Sequence, residues 1–194
     1  SRIKKFYESN KILIFSSILI LIIFFVSFNL YSIKKEKEKI LLSENYVQAK
    51  IYLANGKNSE AINILKDVIF ANDPAYSTLC LFLILNENLI TDYRELSVLF
   101  DHVLANNKFE KEIRNLLIYK KSLLNSNFAT ESELLEEIKP LLNTETLWKP
   151  HALLLLGDYF VSKKEYLKAK EFYTQILLTN NLQQDLYKQA RSQL

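Results

Sequence analysis

The sequence predicts an all-α protein in which one N-terminal transmembrane helix precedes a solenoid of helical hairpins. Three observations predict this fold class. A run of 20 residues near the N-terminus carries no charge. The 194 residues include only 2 Gly and 3 Pro, which leaves little turn chemistry for β-hairpins. Beyond the uncharged run, apolar residues recur at spacings of three and four, which is typical of helix faces.

The uncharged run extends over residues 12–31 and reads ILIFSSILILIIFFVSFNLY. At about 1.5 Å per residue it crosses the roughly 30 Å hydrocarbon core of a bilayer. A cleaved signal peptide fits less well, because its apolar region is usually about 7–15 residues long and no small-x-small cleavage site follows here. We therefore expect a basic segment (1–11), a transmembrane anchor in the lipid bilayer (12–31) and a charged helical linker (32–42).

The charges on the two sides of the anchor are balanced, so the positive-inside rule gives no orientation. The basic residues concerned are Arg2, Lys4, Lys5 and Lys11 before the run, and Lys34, Lys35, Lys37 and Lys39 after it. Of the 25 basic and 22 acidic residues, four basic and one acidic lie in the first 31 positions, which leaves 21 of each sign beyond them. A domain without net charge is a poor electrostatic match for nucleic acid, so we expect no nucleic-acid partner for the chain beyond residue 31.

Residues 43–194 form the expected repeat domain. Helical periodicity begins at Ile40, and the breaks at Asn55-Gly56 and at Asn72-Asp73-Pro74 separate the first two helices, the second of which Asn58 or Ser59 should cap. Further helices are predicted over Ala75–Asn86, Asp92–Asn106, Phe109–Ser126 and Glu131–Leu142, a further hairpin between Lys149 and Asn181, and a capping helix over Leu182–Leu194.

The hairpin after Lys149 resembles the tetratricopeptide motif. The matching positions are Leu156, Gly157, Phe160, Ala169 and Tyr173, and the first hairpin places Ala49, Tyr52, Ala61 and Leu65 at the corresponding points. Small residues at these points permit close helix approach, and aromatic rings fill the space beside them. The sequence therefore predicts a tetratricopeptide-like solenoid of four hairpins.

Motifs for catalysis or cofactor binding are absent from the sequence. It contains no Gly-rich phosphate loop, no paired-cysteine metal motif and no HExxH, and its two histidines, His102 and His151, belong to different predicted hairpins. The single cysteine, Cys80, lies in an apolar run and is expected in the core. We expect no enzyme activity, no cofactor, no metal and no small-molecule substrate. The short charge runs Lys120-Lys121, Lys163-Lys164 and Glu136-Glu137 are interpreted as solvated helix faces.

Stacked repeats offer a concave surface lined by the first helix of each pair. By the tetratricopeptide register, the candidate partner groove is lined by Tyr46, Lys50 and Leu53 in one repeat and by His151, Leu154 and Asp158 in another. The alternative is that some of these side chains pack against adjacent helices.

The order of basic N-terminus, single anchor, charged helical entry and divergent repeats resembles the bacterial ancillary SecYEG translocon subunit family. The last repeat, with Trp148-Lys149-Pro150-x-Ala152-x-Leu154-Leu155, carries the resemblance most specifically. The resemblance implies an inner-membrane protein with a cytoplasmic N-terminus and a periplasmic repeat domain. It also implies association with the SecYEG channel and a membrane-tethered periplasmic chaperone, and a role in handing on exported polypeptides.

Three other interpretations fit the same sequence. One is a general envelope-complex assembly scaffold. Another is an import receptor of the same architecture whose repeats face the cytosol and recognise amphipathic presequences. The third is an enzyme with an unrecognised site.

Overall fold

The computed structural model describes the backbone at residues 2–179 and 182–194, and the side chains at residues 10–13, 15–179 and 182–194. The side chains of the basic segment before Asn10, and residues 180 and 181 at the end of the last predicted hairpin, lie outside the described residues. The described residues form nine α-helices and no strands: α1 Arg2–Ala54, α2 Asn58–Phe70, α3 Pro74–Asn86, α4 Tyr93–Asn106, α5 Lys111–Asn125, α6 Glu131–Leu142, α7 Lys149–Ser162, α8 Tyr166–Leu177 and α9 Gln184–Ser192. The predicted all-α fold class is confirmed.

Helix α1 is long and apolar enough to span a membrane. Its most apolar 18-residue window has a mean hydropathy of 2.7, and none of that window is buried against the rest of the chain. The backbone departs from helical geometry at Asn10 (φ −118°, ψ 16°) and is helical from there to Ala54. Residues 32–41 of α1 are exposed, and Leu42 is the first side chain along the helix to pack against the repeats.

The remaining helices form a stack of hairpins with a tetratricopeptide-like arrangement. The C-terminal part of α1 packs on α2, α3 on α4, α5 on α6 and α7 on α8, while α9 covers α8 and α7. Left-handed backbone at Gly56, Asn72, Asn88 and Lys164 closes the turns that follow α1, α2, α3 and α7. Glycine and asparagine adopt this conformation at little cost, which explains why the Asn-rich breaks of the sequence separate helices.

Several helix ends differ from the sequence predictions, including the start of α2, the start of α5 and both ends of α9, which covers Gln184–Ser192 and not Leu182–Leu194. Lys57, which makes no side-chain cap hydrogen bond, precedes α2, so the prediction that Asn58 or Ser59 caps this helix is wrong. Both residues lie inside the first turn, because Lys57 already takes the non-helical backbone of a cap position. Helix α5 begins at Lys111 and not at Phe109, since Glu110 is extended (φ −61°, ψ 152°).

The apolar interior is divided into two clusters. The N-terminal core cluster joins α1 to α4 and includes Leu117 of α5. The C-terminal core cluster joins α6 to α9, and Ile118 and Tyr119 of α5 pack against it. Among the described residues α4 packs on α5 and α5 packs on α6, but no Cα atom of α4 lies within 8 Å of a Cα atom of α6. The stack is therefore open on one side of α5.

Candidate functional site

The residues of the tetratricopeptide motif in α7 and α8 lie together in the C-terminal core cluster. Leu156, Phe160, Ala169 and Tyr173 are buried, and Gly157 lies directly against the Tyr173 ring. A Cβ atom on Gly157 would lie 2.8 Å from Tyr173 Cδ1, closer than van der Waals contact allows. The absence of a side chain at this position is what lets α7 and α8 approach.

The first hairpin uses the same arrangement with different side chains. Ala61 and Leu65 of α2 are fully buried against α1, where Ala49 is also buried. Tyr52 is half-buried beside the turn, and the Nζ atom of Lys57 lies 5.6 Å from the centre of its ring. The two hairpins that match the motif thus anchor the two core clusters, one in each.

The first half of the candidate partner groove lies on α1. Tyr46 and Leu53 are half-buried and pack against the N-terminal core cluster. Lys50 is exposed, with its Nζ atom 5.9 Å from the centre of the Tyr46 ring. A partner could therefore reach Lys50 and only the outer parts of Tyr46 and Leu53.

The second half lies on α7, and its three residues have different surroundings. Leu154 is 8% exposed and belongs to the C-terminal core cluster, so its side chain does not line a surface groove. The reason is that α7 is packed by helices on several sides, namely α5, α6, α8 and α9. Asp158 is exposed and accepts a hydrogen bond of 2.7 Å from the Tyr173 hydroxyl. Burial first, and then this hydrogen bond and the charge of Asp158, raise the pKa of Tyr173.

His151 is half-buried in an aromatic cluster. Its ring centre lies 5.3 Å from that of Trp148 and 5.7 Å from that of Tyr119, and Trp148 Nε1 donates to the Glu112 carbonyl oxygen over 3.1 Å. Burial, and secondarily the charge of Asp158, raise the pKa of Tyr119. These contacts tie α5 to α7, so His151 acts in packing between repeats.

Since α1 and α7 do not touch among the described residues, the structure does not bring the two predicted halves of the candidate partner groove into one site.

A groove that the sequence analysis did not predict lies where the stack is open. The α4–α6 groove has a volume of about 760 Å³ and is lined by side chains of α4, the C-terminal part of α5, the loop after it and α6. Tyr93 and Phe128 stack at its edge with ring centres 3.7 Å apart and an interplanar angle of 4°. The sequence feature that could have pointed to Phe128 is its position as a lone aromatic residue directly after the polar residues 125–127.

A polar network connects the helices around the groove. The Lys121 Nζ atom lies 2.7 Å from Asp101 Oδ1 and 3.2 Å from Glu137 Oε1, and the side chains of Lys121 and Glu137 are each only 16% exposed. The interpretation of Lys121 and Glu137 as solvated helix faces is therefore wrong, because each neutralises the other between α5 and α6. Burial lowers the pKa of Lys121, but the hydrogen bond to Asp101 and the charges of Glu137 and Asp101 outweigh it and raise this pKa.

Asn125 completes the network. Its Nδ2 atom donates to Glu137 Oε2 over 3.0 Å and to Ser97 Oγ over 3.3 Å. Its Oδ1 atom is buried and accepts no hydrogen bond from the described residues. The described residues contain no cluster of three or more His, Cys, Asp or Glu side chains placed to hold a metal ion.

The chain was compared with protein-family models, with curated proteins and with solved structures, and no match was found in any of the three.

Proposed function

We propose that this chain is a membrane-anchored interaction protein that positions a helical-repeat domain beside a membrane. The observation that carries the proposal is the continuity of α1, whose apolar part leads without interruption after Asn10 into the first helix of the repeats. An apolar helix uncovered by the rest of the chain needs a lipid or protein environment. A stack of hairpins supplies surface for protein partners.

The proposed setting is the bacterial inner membrane, with the N-terminus in the cytoplasm and the repeats in the periplasm. There the chain associates with the SecYEG channel and with a membrane-tethered periplasmic chaperone, and it helps to hand exported polypeptides from one to the other. The support for this setting is the resemblance carried by the anchor and by the last repeat, including Trp148 and Pro150. In the structure Trp148 joins the α5–α7 contact, and Pro150 is buried in the first turn of α7.

The proposed mechanism is tethering. Confining the repeats to a thin layer beside the membrane raises their effective concentration toward partners in the same layer. A contact too weak to form in free solution then becomes useful. The chain makes and breaks no covalent bond in this mechanism, and it requires no cofactor.

Affinity purification of the full chain from solubilised membranes tests the partner. SecYEG subunits should co-purify with the natural chain, and their yield should fall when residues 12–31 are deleted, because the tether is lost, but not when these residues are replaced by an unrelated apolar helix of equal length. That replacement is a matched control, because it keeps the membrane attachment and the repeats. Absence of SecYEG from the natural chain's eluate would contradict the assignment.

Protease accessibility tests the orientation. In inverted inner-membrane vesicles the repeats should survive added protease, and they should be digested once detergent opens the vesicles. Digestion in intact inverted vesicles would place the repeats in the cytosol and would favour the import-receptor interpretation.

A further inference from the structure

The exposed stretch 32–41 of α1 begins where the apolar segment ends, so helix geometry sets its height above a membrane. With α1 along the membrane normal, the Cα atom of Lys35 lies about 6 Å beyond that of Tyr31, and the Cα atom of Lys39 about 12 Å. The headgroup layer of one leaflet is about 5–8 Å thick. Helical side chains tilt toward the N-terminus, which here is the membrane side, so both ammonium groups point toward the headgroups.

A groove lies beside these two lysines. The α1–turn groove separates one face of α1, which includes Lys35 and Lys39, from the turn 71–74 between α2 and α3, and its volume is about 420 Å³. The lining residue furthest from the anchor is Leu42, where α1 begins to pack on the repeats. The groove thus lies between the membrane-facing turn of the first hairpin and the part of α1 that rises from the bilayer.

The acidic side chains of the lining already have partners within the chain. Glu38 Oε1 lies 3.9 Å from Lys34 Nζ, and Asp73 Oδ1 accepts two hydrogen bonds of 3.0 Å from backbone N–H groups at the start of α3. Neither Lys35 nor Lys39 forms an ion pair with a described residue. The stretch 32–41 carries four lysines against two glutamates, so its net charge of +2 favours an anion.

The spacing of the two lysines favours an anion between them. Lys35 and Lys39 are one helical turn apart on the same face, where like charges repel. An anion held between them is attracted by both and screens one from the other. Height decides which anion this is, because phospholipid phosphates are confined to the layer that the lysines reach and are therefore concentrated there.

We propose that Lys35 and Lys39 bind the phosphate group of one anionic phospholipid beneath the α2–α3 turn, in the leaflet from which α1 rises into the repeats. A zwitterionic headgroup fits less well, since its own cation offsets the attraction to the lysines. The bound lipid joins the first hairpin to the membrane surface at a second point besides the anchor. The inference rests on that part of the proposed function which places residues 12–31 in a bilayer, and it does not depend on the protein partner.

Native mass spectrometry of the full chain, released from nanodiscs with its bound lipids, provides the test. The nanodiscs contain equal amounts of phosphatidylglycerol, which is anionic, and phosphatidylcholine, which has no net charge. The natural chain should retain phosphatidylglycerol about twentyfold more often than phosphatidylcholine, because two lysines act on it. Equal retention of the two lipids would overturn the proposal.

Matched substitutions locate the site. Lys35→Gln and Lys39→Gln should each lower this preference about fivefold, whereas the double change to Arg, which keeps both charges, should preserve it. Lys37→Gln removes the same charge from the same exposed stretch but outside the groove lining, so it should change the preference by less than about twofold. Equal losses in all three Gln variants would show diffuse attraction to the membrane surface without a site, and the proposal would fail.

A soluble competitor distinguishes a lipid from a dissolved anion. Inorganic phosphate, added in large excess to the nanodiscs at constant ionic strength, should leave the retained phosphatidylglycerol unchanged, because the lipid is confined beside the lysines. Displacement of the lipid by free phosphate would show a site for dissolved anions and would overturn the assignment to a phospholipid.

Nanodiscs made of phosphatidylcholine alone separate this inference from the proposed function. If the chain enters them but shows no preference in the mixed nanodiscs, the lipid site alone fails. If the chain enters neither kind, the membrane anchor fails, and the proposed function fails with it. If phosphatidylglycerol is retained but SecYEG does not co-purify, the lipid site stands and the partner assignment fails.

Discussion

Gly157 lies in the interior of α7, where alanine would normally be favoured by about 1 kcal/mol. Packing reverses this preference, because a Cβ atom would overlap the fully buried Tyr173 ring. We expect Gly157→Ala to destabilise the repeats by about 1–3 kcal/mol. Denaturant unfolding measures the change, and the penalty should shrink in a Tyr173→Leu background, where the ring is gone. Stabilisation by the alanine would contradict the observed contact.

Cys80 gives a prediction about alkaline pH. Burial raises the pKa of its thiol from 9.0 to about 12, so the folded chain keeps a proton that the unfolded chain releases. The stability that this proton contributes is complete below pH 9 and is lost as the pH rises toward 12. Above pH 9 the free energy of unfolding should fall by up to about 1.4 kcal/mol per pH unit more steeply in the natural chain than in Cys80→Ala. Denaturation curves between pH 8 and pH 10.5 measure both slopes, and equal slopes would contradict the prediction.

Helix α6 begins with a reciprocal cap. Thr130 Oγ1 accepts from the Glu133 backbone N–H over 3.4 Å, and Glu133 Oε2 accepts from the Thr130 backbone N–H over 2.8 Å. These bonds satisfy two donors at the start of the helix, so Thr130→Ala should cost about 1 kcal/mol. Ser132→Ala, an exposed change in the same turn, is the matched control. A thermal melt that shifts equally for both variants would show that the cap contributes nothing.

The existence and order of the helices could be predicted because each has its own periodicity and its own break. The cap of α2 could not be predicted, since Asn58 and Ser59 are both good capping residues and the chain instead turns at Lys57. The burial of Leu154 and Lys121 could not be predicted for a different reason. A repeat register gives the direction of a side chain on its own helix, but burial depends on which other helices cover that face.

At the scale of the whole molecule, two core clusters meet at α5, with Leu117 in one and Ile118 packed on the other. We expect damage to one cluster to loosen that cluster first. Leu65→Ala should speed amide hydrogen exchange mainly in α2 to α4, and Leu156→Ala mainly in α7 and α8, at a cost of about 2–5 kcal/mol each. Mass spectrometry of exchanged peptides resolves these helices. Equal acceleration everywhere in both variants would mean that the clusters unfold as one unit.

The α4–α6 groove is the part of the candidate site furthest from sequence prediction. It lies between α4 and α6, which are not consecutive in the chain and have no Cα atoms within 8 Å of each other. The polar residues 125–127 separate two helices in the sequence, and Asn125 also joins Glu137 to Ser97. Local periodicity carries no information about such gaps.

The unbroken helix from the apolar segment into the repeats has a geometric consequence. Each residue of an α-helix advances about 1.5 Å and turns about 100°. One residue inserted into the exposed stretch 32–41 would therefore swing the α4–α6 groove by about 100° around the anchor axis, while seven inserted residues would return it to within about 20° of its first heading. The number of residues in this stretch, and not only their charge, therefore sets the rotational orientation of the repeat domain about the anchor axis, and so which of its faces is turned toward a neighbour of the anchor.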